Sequence, residues 1–163
     1  MAHASPSITR ERMVGLSAPM NAAQFVEQLA AHRSAAQAQG YLGYFKIGPG
    51  EYSEGDQFMG VRMGQVFALA KASIDMPLSD IEHLLESPFH EVRAGALSIM
   101  DKQARRKNMP ASRRKELFDL YLRRHDRINN WDLVDVSAPY VVGGYLFDKP
   151  RDILYELARS RNM

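Results

Sequence analysis

The chain has 163 residues, 45% hydrophobic and 25% charged, with a formal net charge of +2, which suits one compact globular domain. It has no cysteine, and its five histidines (His3, His32, His83, His90 and His125) form no His-Glu-x-x-His pattern. Disulfides and thiolate metal sites are thereby excluded, and neither a metal nor a cofactor is expected. Residues 1–19 read as a disordered leader, because Met1 to Ser17 carry Arg10 and Arg12 and lack the apolar core of a secretory signal. The longest apolar stretch, Ala138 to Phe147, is interrupted by Pro139, Gly143 and Gly144 and is too short to span a bilayer. No membrane partner and a cytoplasmic location are expected.

From residue 20 onward the apolar positions recur with helical spacing, and no alternating strand pattern stands out. Phe25, Leu29 and His32 share a face of a first helix, capped by Asn21 and ending near Arg33. A second helix over Ser34 to Phe45 carries Tyr41, Leu42 and Phe45. Lys46 to Gly60 contains Gly48, Pro49, Gly50 and Gly55, a helix-breaking composition that predicts a long loop of the kind that is often functional or mobile.

Helical periodicity resumes with Val66, Leu69 and Ala70 and stops around Asp75 to Pro77. Ser79 with Glu82 reads as a capping box for the next helix, which carries Ile81, Leu84 and Leu85. Ser87-Pro88 reads as cap and first turn of a helix burying Val92, Ala96 and Ile99 and running to about Lys107. Ser112 opens a further helix with Leu117, Leu120 and Tyr121 inward and Arg113, Arg114, Arg123 and Arg124 outward. Asn129 or Asn130 caps the helix bearing Trp131. Pro139, lacking an N–H to bond the Asp135 carbonyl, is expected to kink or break it. Lys149-Pro150 precedes a final helix through Leu154 and Leu157. The pattern predicts an all-α chain of about eight helices in antiparallel pairs, either an α-solenoid or a compact irregular bundle.

Charge is unevenly distributed along this pattern. Glu51 to Glu91 holds eight acidic residues against Arg62 and Lys71, whereas Lys102 to Arg127 holds ten basic residues against Glu116, Asp119 and Asp126. The basic block leads directly into Asn129-Asn130-Trp131-Asp132-Leu133-Val134-Asp135, where the only tryptophan stands one helical turn from a carboxylate. An aromatic plane and a carboxylate beside a cationic surface suit a cationic group embedded in a polyanion. The structural alternatives are a core anchor for Trp131, a surface acid paired with Arg127 for Asp135, and a solvated pair of helices for the basic run. Asp132, in the first turn, reads as a helix-start acid.

Five strings of this sequence together resemble the AlkD-like DNA alkylation repair proteins: Gly50-Glu51-Tyr52-Ser53-Glu54-Gly55-Asp56, Met59-Gly60-Val61-Arg62, His90-Glu91-Val92-Arg93, Asn129 to Asp135, and Val141-Val142-Gly143-Gly144-Tyr145-Leu146. The resemblance runs from about Asn21 to Met163. It implies a HEAT-like α-α superhelix of antiparallel helix pairs over residues 20–163 that cradles double-stranded DNA and excises N3- or N7-alkylated purines. By position Trp131 matches the lesion-facing tryptophan, Asp135 the catalytic aspartate and Tyr41 a further aromatic near the lesion. Arg105, Arg106, Lys107, Arg113, Arg114, Lys115, Arg123, Arg124 and Arg127 are the expected contacts to the DNA backbone.

Two departures from the family pattern stand out. Gly64 and Phe67 occupy positions where many relatives carry proline and arginine. The relatives also continue past residue 163 with a Trp-x-x-Arg segment, so the chain is expected to present the N-terminal portion of the fold. The full-length fold is expected to be monomeric, and a chain ending at Met163 to have weakened or lost chemistry and an exposed C-terminal face open to association. The alternative function is a non-catalytic helical-repeat module that binds DNA or an acidic protein partner.

Overall fold

The computed structural model describes residues 18–160. The expected leader therefore lies, apart from Ala18 and Pro19, outside the described residues. The chain is all-α, in keeping with a helical-repeat fold, with α1 (Ala22–Ala30), α2 (Ala35–Tyr44), α3 (Met63–Ala72), α4 (Leu78–Leu85), α5 (His90–Ala104), α6 (Ala111–Arg123), α7 (Trp131–Ala138), α8 (Gly144–Leu146) and α9 (Asp152–Ala158). A single 3-10 turn, His125–Arg127, links α6 to α7. Among the described residues the only β feature is an isolated bridge between Gln57 and Phe89, and no helix is long and apolar enough to cross a membrane.

Local chemistry accounts for the first two helices. The Asn21 side chain accepts from Gln24 N at 2.9 Å, and the Gln24 side chain returns the bond to Asn21 N at 3.0 Å. Reciprocal caps of this kind contribute about 1 kcal/mol. Ser34 caps α2 through Gln37 N. His32 falls in the turn after α1 and is exposed, so the buried stripe of α1 ends at Leu29.

α5 is the axis of the domain. It packs against α3 and α4 and, on another side, against α7, and all of its residues except Lys102 are buried. Several of those residues are polar, so the helix can be enclosed only because each finds a partner. Gln103 Nε2 donates to the carbonyls of Ile74 and Met76, both at 2.9 Å, and the Ser98 hydroxyl accepts from Lys102 Nζ. Glu91 takes three backbone N–H groups, those of Met59, Gly60 and Val61, at 3.0, 2.7 and 3.2 Å. The long loop before α3 is thereby fastened to the central helix. A side chain at Gly95 would run into the Phe25 ring, so the docking of α1 depends on that glycine.

Three local expectations are not met, two because longer-range contacts prevail and one because the helix changes register. Ser79 and Glu82 form no capping box. α4 starts after Pro77 without a side-chain cap, and Glu82 instead binds Arg123 and Arg124. Ser87-Pro88 does not open α5, whose N-cap is Phe89. Gln57 N donates to Pro88 O, and His90 N donates to Gln57 O, so the bridge holds Phe89 extended and α5 begins only after it. Pro139 does not break its helix. It holds φ −56° and ψ −42°, within the α range, and α7 passes into a π-helical turn, Pro139–Gly143, and on into α8. A wider turn accommodates the missing N–H by shifting the register to i→i+5, seen where Gly144 N donates to Pro139 O.

Candidate functional site

The Trp131 turn is set in place from both sides. Asn130 caps α7 by accepting from Asp132 N at 3.4 Å, and its Nδ2 donates to Ser53 Oγ at 2.6 Å. Asn129 Nδ2 donates to Asp56 Oδ1 at 3.1 Å and to Tyr52 O at 3.4 Å. Residues 52–56 of the long loop therefore grip the pair of asparagines that precedes Trp131. With the Glu91 contacts, the loop predicted to be functional or mobile is a clamp between α5 and α7.

Beneath this clamp lies a chain of buried charges. His90 Nε2–H donates to Asp132 Oδ2 at 2.7 Å, and His90 Nδ1 faces Asp56 Oδ2 at 3.6 Å. Arg93 Nη2 donates to Asp56 Oδ1 at 2.7 Å and to Asn129 Oδ1 at 3.2 Å. Arg93 Nη1 donates to Ser87 O at 2.9 Å. The rings of Phe45 and Phe58 lie 4.7 and 5.3 Å from that of His90. Burial disfavours the imidazolium, but hydrogen bonds to Asp132 and Asp56 outweigh it, and His90 is held above the ordinary histidine value despite the Arg93 charge. Burial likewise opposes ionisation of Asp56, yet His90, Arg93 and Asn129 hold its carboxyl below the usual carboxylate range.

A raised folded-state value for His90 fixes the sign of a pH effect. Its contribution to stability is complete below the unfolded value of about 6.5 and is lost as pH rises through the higher folded value. Urea unfolding across that window is expected to show falling stability with rising pH, and His90→Gln is expected to flatten the decline. An unchanged slope in the variant would refute the assignment.

Trp131 itself is 42% exposed. It stands at a groove of about 470 Å³ between α2 and α7, with Tyr41, Tyr44, Phe45, Met63 and Asp132. The Tyr44 and Trp131 ring centroids are 6.4 Å apart. The Tyr41 hydroxyl donates to Val61 O at 3.1 Å, and burial, with the Glu91 charge, pushes its pKa above the ordinary phenol value, so it stays neutral. The structure thus brings Trp131 and Tyr41 together. Asp135 follows Trp131 by one turn of α7, is exposed, and among the described residues its carboxylate has no hydrogen bond or ion pair. Asp132, read as a helix-start acid, is in the first turn as expected, and it also lines the groove and is tied to His90. His90, Asp56, Arg93 and Tyr44 were missed as site residues. Three of them stand in the strings that carry the resemblance, but nothing in their spacing pairs them.

The expected basic surface is largely engaged within the protein. Arg123 and Arg124 bind Glu82 and Glu86, Arg106 binds Asp75, Arg113 binds Glu116 and Gln103, and Lys115 binds Asp119. Arg114 donates to the carbonyls of Ala104 and Arg106, and Arg127 to those of Leu85, Glu86 and Ser87. Arg105 bonds Asp101 and lies 3.8 Å over the Tyr140 ring. Lys107 is exposed and, among the described residues, its ammonium group has no hydrogen bond or ion pair. Three acids of the acidic segment, Asp75, Glu82 and Glu86, are counter-charges to Arg106, Arg123 and Arg124 of the basic segment. At the other end of the molecule Phe147 and Tyr155 are 81% and 68% exposed, and α9 buries none of its residues. Among the described residues no group of histidines and acids could hold a metal ion.

The model of a family described as DNA alkylation repair enzyme matches residues 25–163. No curated protein and no solved structure matches the chain.

Proposed function

The chain belongs to the DNA alkylation repair enzyme family, and on that premise we propose that it is a DNA glycosylase that releases N3- or N7-alkylated purines from double-stranded DNA. A role in DNA repair follows from the family; the reaction is inferred from the chemistry of the site. The observation that carries the reading is the exposed Trp131 at an aromatic groove, with the unpaired carboxylate of Asp135 one turn further along the same helix.

An alkylated purine carries positive charge and is already a good leaving group. Breaking its N-glycosidic bond moves that charge onto the deoxyribose, giving an oxocarbenium-like state. Asp135, free of internal cations, is placed to stabilise that charge and to orient the attacking water. The indole face of Trp131 offers about 0.5–2 kcal/mol to a cationic base or sugar, and Tyr41 extends the same aromatic surface. Asp132 differs from Asp135 in being committed to His90, so it serves to hold the start of α7 in place.

Incubation with methylated duplex DNA is expected to release free 3-methyladenine or 7-methylguanine, detected by chromatography. Asp135→Asn is expected to lower the single-turnover rate by about 10²–10³ without loss of folding. No release by a folded preparation would sink the catalytic reading, and salt-sensitive DNA binding without release would select the non-catalytic module.

A further inference from the structure

We propose that the groove beside Arg62 is a subsite for one backbone phosphate of the duplex, contiguous with the aromatic groove at Trp131. The identity of the partner rests on the DNA-acting reading above, whereas the anion-binding chemistry rests on this site alone.

The subsite is a groove of about 380 Å³ whose lining includes His32, Ser34, Gln37, Gly40, Arg62 and Gln65. Its polar side chains are a guanidinium, an imidazole, two amides and a hydroxyl, and no carboxylate lines it. That set can surround an anion with donors and offers nothing that repels one. Glu91, the acid next to this region, turns away from it to bind the N–H groups of residues 59–61. Arg62 is exposed and, among the described residues, its guanidinium makes no hydrogen bond or ion pair, although its carbonyl accepts from Gln65 N and Val66 N at the start of α3. Arg123 and Arg124, by contrast, already have carboxylate partners. A guanidinium without an internal partner gives up none when it meets a phosphate.

Gln37 and Gly40 line both this groove and the one at Trp131. The two are therefore neighbours across one face of α2, with the Tyr41 hydroxyl bonded to Val61 O immediately before Arg62. A strand whose modified base or sugar meets Trp131 would bring a neighbouring phosphodiester over Arg62. Gly60 keeps the backbone of the subsite closed on α2, since any side chain there would strike the Ser34 carbonyl.

The test is duplex binding followed by fluorescence anisotropy over a salt series, with unmodified DNA so that excision plays no part. Arg62→Ala is expected to weaken binding about tenfold at low salt and to reduce the slope of log K against log salt by about 0.9, with Arg62→Lys retaining most of the slope. In duplexes bearing single neutral methylphosphonates, one substitution is expected to weaken the native protein and to have no further effect on Arg62→Ala. Loss of that pairing, or an unchanged slope in Arg62→Ala, overturns the subsite. Inorganic phosphate that binds in an Arg62-dependent way while duplex affinity ignores Arg62 overturns DNA as the source of the anion. A protein that shows the slope change but releases no base keeps the subsite and loses the glycosylase reading.

Discussion

Glu91→Ala is expected to cost about 4 kcal/mol of folding stability and to lower the melting temperature by about 10 °C or more. Glu91 is fully buried, and both of its carboxylate oxygens are occupied by the N–H groups of Met59, Gly60 and Val61. Alanine leaves those three donors facing a void, and each unsatisfied buried donor costs about 1–3 kcal/mol. Glu91→Gln is expected to fall between the two, because one oxygen remains while the new amide group faces the Met59 N–H. Thermal and urea unfolding would give the order native, Gln, Ala. Equal stability of Gln and Ala would overturn this order, since the oxygen that Gln retains would then contribute nothing. The loss should reach the Trp131 groove, because residues 59–61 support Tyr41 through the Val61 carbonyl.

Gly60→Ala is expected to be nearly as severe, at about 3–5 kcal/mol, for a different reason. Gly60 has φ +77°, a conformation that costs a non-glycine residue about 1–2 kcal/mol. An alanine Cβ would also collide with the Ser34 carbonyl oxygen and come within 2.7 Å of Ala38 N. Both are backbone atoms in the first turn of α2, so the helix itself must move. α2 carries Tyr41 and Tyr44, and its displacement opens the aromatic groove. The tryptophan emission of Gly60→Ala is therefore expected to shift along with its stability, and Trp131 is the only tryptophan that can report it. A variant as stable as the native protein would refute the close approach. Since Gly60 N is one of the donors to Glu91, the double variant is expected to lose less than the two single losses combined.

The helices and the candidate aromatic were legible to different depths. Periodicity placed α1, α2, α5 and α6 with small errors at their ends, because the repeat of an amphipathic helix is written in neighbouring residues. Asn21 and Asn130 were readable as caps, since a cap acts on its own first turn. Ser79 and Ser87 carry the same local signal and do not serve as the caps it suggests. Arg123 and Arg124, 41 and 42 residues from Glu82, draw that acid away, and the bridge to Gln57 holds Phe89 extended, so that α5 begins after it. Pro139 reads as a kink or break in the helix, yet a π turn absorbs it. A missing N–H announces a disruption without saying which register relieves it.

The sequence by itself determined that this chain is helical, that it carries its tryptophan at the start of a capped helix one turn from Asp135, and that it carries the strings of a DNA alkylation repair protein. Those facts depend on residue type and on spacings of four or fewer, and they persist however the helices are arranged. Only the tertiary structure decided which charges remain available. It paired Asp75, Glu82 and Glu86 with Arg106, Arg123 and Arg124 of the basic block, committed Asp132 to His90, and closed the loop of residues 46–60 around α5 and α7. It also left Asp135 and Arg62 without internal partners. Such pairings join groups 30 to 77 residues apart, and their strength depends on burial and distance in space, quantities that spacing along the chain does not contain.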